Sequence, residues 1–420
     1  MDSLIQNTTG VLSLFTPSVF TFIMIGIVVF VFFWLRSKYN DWCRASQRTM
    51  IDQQCQQLNP EETIFVSIAS YRDKECAETI FDLFEKAYCP FRITVGVCQQ
   101  NDWSDEDCIE SYKKLAQSGI GDFSDRIRII RMNAEEAKGP MYARHLIEKN
   151  LYRGERFYLI TDSHMMFTPN WDKRVIEEWN QCRTQSMKPI LTMYPDDFKP
   201  HHRLLPMSGY ETKSGSYLRF KKFNEKSGLI EIEGPNFVRR PKHPVPSMFW
   251  AGCFSFGPGT MISEVPFDPF CDYVFFGEEI LMAARLWTSG YDFYHPTTMF
   301  CYHMWERNRP TFWQQFNDKY NEKHRERQKK EEEGNQRVRA ILDVDSTETS
   351  VLPPYGLGRM RTLQEYEAMI GIQMKTKQFT SLSGIMGVMS NAPAQEILCK
   401  FGTWKNFESA RQILTQELKQ

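Results

Sequence analysis

No charge of either sign dominates this chain. Its 420 residues carry 51 Lys and Arg against 52 Asp and Glu, a formal net charge of −1. Without a basic excess there is no electrostatic footprint for a phosphate backbone, so nucleic acid is not an expected partner. No CxxC pair occurs among the 11 cysteines, which argues against a zinc ribbon. Their number is odd and their spacing irregular, and Cys98 and Cys253 sit in apolar runs as buried thiols do. That pattern favours a reducing compartment while leaving room for a few disulfides. The chain also lacks an internal repeat and the carboxylate cluster of a two-metal nuclease. Aromatics, at 14 %, are plentiful and suit a large folded core.

One uncharged apolar run stands out. Val19 to Leu35 reads VFTFIMIGIVVFVFFWL, about the minimum for a spanning helix. A cleaved signal peptide would need a basic start and a small-residue cleavage site, and neither is present. Residues 19–35 are therefore expected to be a transmembrane helix after a short tail, 1–18. Asp2 is the one charged side chain before the run, whereas Arg36, Lys38, Arg44 and Arg48 follow it. The positive-inside rule then places the rest of the chain in the cytosol. Asn7-Thr8-Thr9 is the single N-glycosylation sequon, which agrees with a short outside tail. The Golgi lumen is the alternative, since long translocated domains override loop charge.

Beyond a polar, Gln-rich stalk over 36–62, strand and helix patterns alternate, the mark of an α/β fold. Strands are expected at Thr63 to Ala69, Ile93 to Val97, Ile127 to Met132 and Arg156 to Ile160. Helices are expected at Glu75 to Ala87, Asp105 to Ala116 and Gly139 to Asn150, the last with Pro140 in its first turn. This is the rhythm of a Rossmann-like doubly wound sheet. Further on, the pattern gives a helix over Asp172 to Arg183, a strand at Ile190 to Met193 and a helix over Gly277 to Ser289. The charge run Lys319 to Arg339 reads as a solvated helix. The catalytic domain is expected to occupy 63–320, with a charged helix and C-terminal extension over 321–420.

In an open α/β sheet, ligands bind at the carboxyl ends of the strands. The strand Arg156 to Ile160 ends in Thr161-Asp162-Ser163-His164. Asp162 and His164 can share one cation there, and that cation would neutralise a nucleotide diphosphate as it leaves. A helix cap by Asp162 over a packed His164 is the competing reading. The first strand ends in Ser70-Tyr71-Arg72-Asp73, where Tyr71 can stack on a base and Arg72 can pair with a phosphate, or Ser70 and Asp73 can cap a helix. Gln99, after the second strand, can read base or ribose. Arg144, in Lys138-Gly139-Pro140-Met141-Tyr142-Ala143-Arg144, can face an anion together with the helix start. In Trp250-Ala251-Gly252-Cys253, Gly252 permits close approach to a sugar and Trp250 can stack on it or fill the core. Glu278 and Glu279 can orient an acceptor hydroxyl or serve the helix dipole.

Taken together, the strings IFVSIASYRDKECAETI, VGVCQQND, GPMYARH, ITDSHMMFTPNWD and FFGEEILMAARLWTSGYDFYHP resemble the polypeptide α-N-acetylglucosaminyltransferases. The match runs from about Thr63 to about Gly371. The resemblance implies a GT-A-type nucleotide-sugar transferase fold, a UDP-GlcNAc donor, a protein acceptor modified on Thr, Ser or hydroxyproline, and retention at the anomeric carbon. It also implies a divalent cation, Mn²⁺ before Mg²⁺, on Asp162 and His164, with His303 as third ligand. Ser70, Tyr71, Arg72, Gln99, Arg144, Asp162 and Gly252 would surround the donor, and Glu278 or Glu279 would serve the acceptor. Another UDP-sugar, a glycan acceptor or a non-catalytic transferase fold are the alternatives.

Overall fold

The computed structural model describes residues 17–204, 215–235, 240–306, 312, 322–345, 351 and 354–379; at 17–21, 23, 41, 200, 204, 322 and 323 it describes the backbone alone. A long helix, α1 (Pro17–Gln56), leads into β1 (Ile64–Tyr71), α2 (Glu75–Glu85), β2 (Ile93–Asn101), α3 (Cys108–Ala116), β3 (Ile127–Asn133), α4 (Pro140–Asn150) and β4 (Phe157–Asp162). Then come β5 (Met165–Phe167), α5 (Trp171–Arg183), β6 (Pro189–Thr192), the hairpin β7 (Arg219–Phe223) and β8 (Ile230–Glu233), and β9 (Val245–Ser247). The chain continues through β10 (Phe254–Pro258), the single turn α6 (Met261–Glu264), α7 (Glu278–Thr288), β11 (Asp292–His295), β12 (Cys301–His303), α8 (Glu322–Ile341) and α9 (Leu363–Ile370).

Eight strands form one mixed sheet in the order β3-β2-β1-β4-β10-β6-β11-β9. The half from β3 to β4 is parallel throughout. β1 and β4 are apolar on both faces because both faces are covered. Ile64, Val66 and Ile68 point with Phe157 and Leu159 into a core shared with α2, α3 and α5. Phe65, Tyr158 and Ile160 point the other way, into a core closed by α4, α7, α9 and the end of α8, where Val338, Ile341 and Leu342 are buried. The charge run is thus packed at its end.

The doubly wound expectation needs one correction. β10 lies antiparallel between β4 and β6, so the sheet is parallel-rich but mixed. Among the described residues no crossover helix precedes β10; the chain reaches it from the carboxyl ends of its neighbours, with Phe254 opposite Thr161. That reversal sets Gly252 directly over the end of β4. A second pairing does similar work. β5 and β12 are antiparallel with His303 opposite Met165, which brings His303 alongside His164.

One boundary shifts for a local reason. α3 begins at Cys108 rather than Asp105, because Asp107 is its N-cap, accepting from the amides of Ile109 and Glu110. α9 starts at a Thr362/Glu365 capping box and stops at Gly371 in the left-handed region. Among the described residues no helix is long and apolar enough to cross a membrane. The expected span falls partly outside them, since no side chain is described for 17–21 and 23. The described part, Met24 to Leu35 with Phe22, continues as helix straight through the expected stalk. Near its end a disulfide joins Cys55 to Cys89.

Candidate active site

The carboxyl ends of β1, β2 and β4 open into a cleft of about 400 Å³. Asp162, the last residue of β4, lies at its centre. His303 Nε2 is 3.1 Å from Asp162 Oδ2, and His164 Nε2 is 3.8 Å from the same oxygen. The two imidazole Nε2 atoms are 3.0 Å apart. Facing lone pairs at that distance repel unless a proton or a cation lies between them. One ligand atom from each residue falls within 4.8 Å of the others, so the three can hold a metal ion together. Carboxylate with two imidazoles suits a divalent cation such as Mn²⁺.

A second carboxylate orients the cluster. Asp73 Oδ2 is 2.7 Å from His164 Nδ1 and accepts from Ser163 Oγ at 2.7 Å. With Nδ1–H donating there, Nε2 keeps its lone pair for the cluster. The other Asp73 oxygen, Oδ1, accepts from the amide of Glu75 at the start of α2. The cap expected of Asp73 is therefore present, and the same side chain also reaches the site.

Arg144, on α4, is almost fully buried and joins three groups. Its Nη2 donates to Asp162 Oδ1 at 3.2 Å and to the Gly252 carbonyl at 2.8 Å, and its Nη1 donates to Glu278. A Cβ on Gly252 would stand 3.0 Å from Arg144 Nη1, so the glycine admits the guanidinium. Glu279 is held separately, accepting from the Gly252 amide at 3.0 Å and from the Tyr194 hydroxyl. Burial would raise Asp162, but the His303 hydrogen bond, the neighbouring imidazoles of His164 and His303 and the Arg144 guanidinium hold it well below the usual carboxylate range. Burial dominates at both glutamates. Glu278 is raised despite Arg144, and Glu279 is pushed up to about 7 despite Tyr194 and the Gly252 amide.

The Glu279 shift predicts a pH-dependent stability. Its folded value lies above the ordinary one of ~4.3, so its contribution is fully present below that pH and is lost as pH rises through about 7. Glu279→Gln removes the buried charge. Its melting temperature relative to wild type should rise between pH 5 and pH 8, by the equivalent of about 1–2 kcal/mol. Parallel melting curves would argue against the burial account.

Not every expected donor contact comes to the cleft. Tyr71 lines it, beside Phe312 at a ring separation of 4.9 Å. Arg72 adopts φ 48°, and its guanidinium is taken by Asp105, with Nε at 2.7 Å, and by Asp102. Gln99 turns to α3, accepting from the Cys108 amide at 2.6 Å and donating to Asp107 at 3.1 Å. Its neighbour Gln100 lines the cleft instead, since successive strand residues face opposite ways. Ser70 is buried, and its carbonyl accepts from Gln100 Nε2. Trp250 belongs to the core, with its indole donating to Ser255 Oγ at 2.7 Å. Trp305 was not anticipated. It lines the cleft with its ring 3.9 Å from that of His303 and donates to the Pro195 carbonyl.

A family model described as glycosyltransferase (GlcNAc) matches residues 63–122 and 111–376. The chain belongs to this glycosyltransferase family. No curated protein sequence matches it significantly. Among solved structures, the chain is similar to GalNAc-T7 crystallised with UDP, GalNAc and Mn²⁺, at 13 % identity and TM-score 0.45, over 79 % of this chain and 58 % of that one. It is also similar to a mannosyltransferase of Pyrobaculum calidifontis in complex with GDP-Man and Mn²⁺, at 10 % identity and TM-score 0.37, over 89 % and 95 % of the two chains. Residues 1–349 of S. aureus TarS match at 9 % identity and TM-score 0.36, over 84 % and 92 %. The chain thus spans 58 % of the length of the GalNAc-T7 structure. Likeness this distant assigns no substrate.

Proposed function

We propose that this glycosyltransferase moves GlcNAc from UDP-GlcNAc to a hydroxyl of a protein, on a GT-A-like fold tethered to a membrane through α1. The observation that carries the reading is the Asp162, His164 and His303 cluster, with Arg144 set between it and Glu278. A divalent cation, Mn²⁺ before Mg²⁺, would be held by those three residues and would neutralise the diphosphate as the nucleotide departs. Asp73 fixes the ring of His164, so the ligand geometry is set before the donor arrives. Arg144 supplies a fixed positive charge that no water needs to reorganise around. Tyr71 and Gln100, at the ends of β1 and β2, face the base side of the cleft. Tethering is supported by Phe22, Phe30 and Phe32, each at least 60 % exposed on α1.

Glu279 is the better candidate to orient the acceptor hydroxyl. Glu278 is tied to the Arg144 guanidinium, whereas Glu279 is braced by Gly252 and Tyr194 at the wall formed ahead of β10. Glu279→Gln should lower kcat about 30-fold while leaving donor binding nearly unchanged. Glu278→Gln should weaken donor binding as well, by loosening Arg144. Identical, mild effects from both would remove the distinction.

The direct test is incubation of the detergent-solubilised protein with Mn²⁺, a panel of UDP-sugars and candidate protein acceptors, the labelled residue being located by mass spectrometry. GlcNAc transfer to a side-chain hydroxyl is expected. Faster transfer from UDP-Gal or UDP-GalNAc, or transfer to a glycan alone, would replace the donor or acceptor assignment. Absence of both transfer and donor hydrolysis would point to a non-catalytic transferase fold.

A further inference from the structure

Away from the cleft and from Cys55–Cys89, two more cysteines face each other. Cys76 lies in the first turn of α2 and Cys108 opens α3. Both are buried, and their sulfurs are 2.7 Å apart. Non-bonded heavy atoms rest at about 3.5–4.0 Å, and a disulfide bond is about 2.05 Å. The pair is therefore closer to a bond than to a contact. α2 and α3 pack side by side on the sheet, which keeps the two helix starts together.

We propose that Cys76 and Cys108 close a second disulfide, and that the catalytic domain completes its folding in an oxidising compartment. The two thiols lose two protons and two electrons. The electrons pass to the disulfide of a thiol–disulfide oxidoreductase or of oxidised glutathione, which leaves as two thiols after a mixed-disulfide step. The reaction precedes the docking of α2 on α3. Once docked, the contact with Cys76, then burial and the nearby Asp107 and Asp73, push the Cys108 thiol far up, so no thiolate is available to attack. The same burial then shields the bond from reductants.

Two observations agree with this placement. Cys55–Cys89 is already a disulfide, and structural disulfides persist where the surroundings are oxidising. Long translocated domains also override juxtamembrane charge, so Arg36, Lys38, Arg44 and Arg48 do not forbid a luminal domain. The cross-link also bears on the site. Cys76 lies three residues beyond Asp73, which holds His164, so the bond would pin the turn that orients the cluster. None of this depends on which sugar is transferred.

The test uses the full chain, extracted from membranes with N-ethylmaleimide present from lysis onward and digested without reduction. Mass spectrometry should find the Cys76 peptide joined to the Cys108 peptide, two hydrogens lighter than their sum, and separated by phosphine. If both cysteines instead carry maleimide, the second disulfide does not exist, whether or not Cys55 and Cys89 are linked. If all four carry it, the oxidising compartment falls too. A Cys76→Ala, Cys108→Ala variant gives an independent reading. Its melting temperature should fall by about 5 °C or more. Phosphine should then lower it further by less than it lowers wild type. Equal sensitivity of both proteins to phosphine would overturn the proposal.

Discussion

Asp162→Asn should lower turnover by about 10³-fold at saturating donor while the protein stays folded. Asp162 is the carboxylate of the proposed metal cluster and also the partner of Arg144. Replacing it with an amide removes one anionic ligand from a three-residue set. It also turns a charge-assisted contact with the guanidinium into a neutral one. Charge stabilisation of a leaving diphosphate is worth several kcal/mol, and about 4 kcal/mol corresponds to the expected factor. The measurement is turnover against Mn²⁺ concentration, with circular dichroism as the control for folding. The residual activity should need far more Mn²⁺ for half-maximal rate. A folded variant with near-normal turnover and an unchanged Mn²⁺ requirement would remove Asp162 from the ligand set.

Arg144→Met should be nearly as damaging, through two separable effects. The guanidinium stands between Asp162 and Glu278 and pairs with both carboxylates. Removing one partner of a buried ion pair costs about 3–5 kcal/mol, so the melting temperature should drop. Turnover per folded molecule, measured at low temperature, should fall about 10²-fold because a fixed positive charge beside the diphosphate is lost. Lysine would not restore it, since one ammonium cannot reach Asp162, the Gly252 carbonyl and Glu278 in a fork. A variant with lowered stability but normal turnover at low temperature would make Arg144 a structural clamp.

The alternation of strands and helices from Thr63 to Asp162 is legible in the sequence because each parallel strand there is a short apolar run between amphipathic helices. The direction of β10 is not, because Phe254 to Gly257 would read the same in either direction. At the site, the strand-end position of Asp162 and His164 follows from local pattern, while His303 came only through the family resemblance. It reaches them from 139 residues away from His164, through the β5–β12 pairing. Gln99 and Gln100 differ in strand parity, which the string Cys98-Gln99-Gln100-Asn101 does not disclose. The sequence offers Arg72 as a phosphate partner but does not disclose its competitors. Asp102 and Asp105 lie on the next strand's loop, and only the fold sets them beside it. Tyr194 and Trp305 lie where no periodicity singles them out. Asp73 reads as a cap in the sequence, and its second oxygen reaches His164.

The unbroken α1 has a mechanical consequence. From Leu35 to Gln56 it is continuous helix, which at 1.5 Å per residue spans ~30 Å. Arg44 donates to the Gln117 carbonyl, Arg48 lies over the rings of Phe91 and Phe123, and Cys55 is bonded to Cys89. With its apolar start tethered as proposed, the helix is a strut rather than a leash. The cleft would stand at a set height above the bilayer and sweep little volume. Acceptor hydroxyls presented at that height would meet a high local concentration of enzyme, and those much nearer or farther would be passed over.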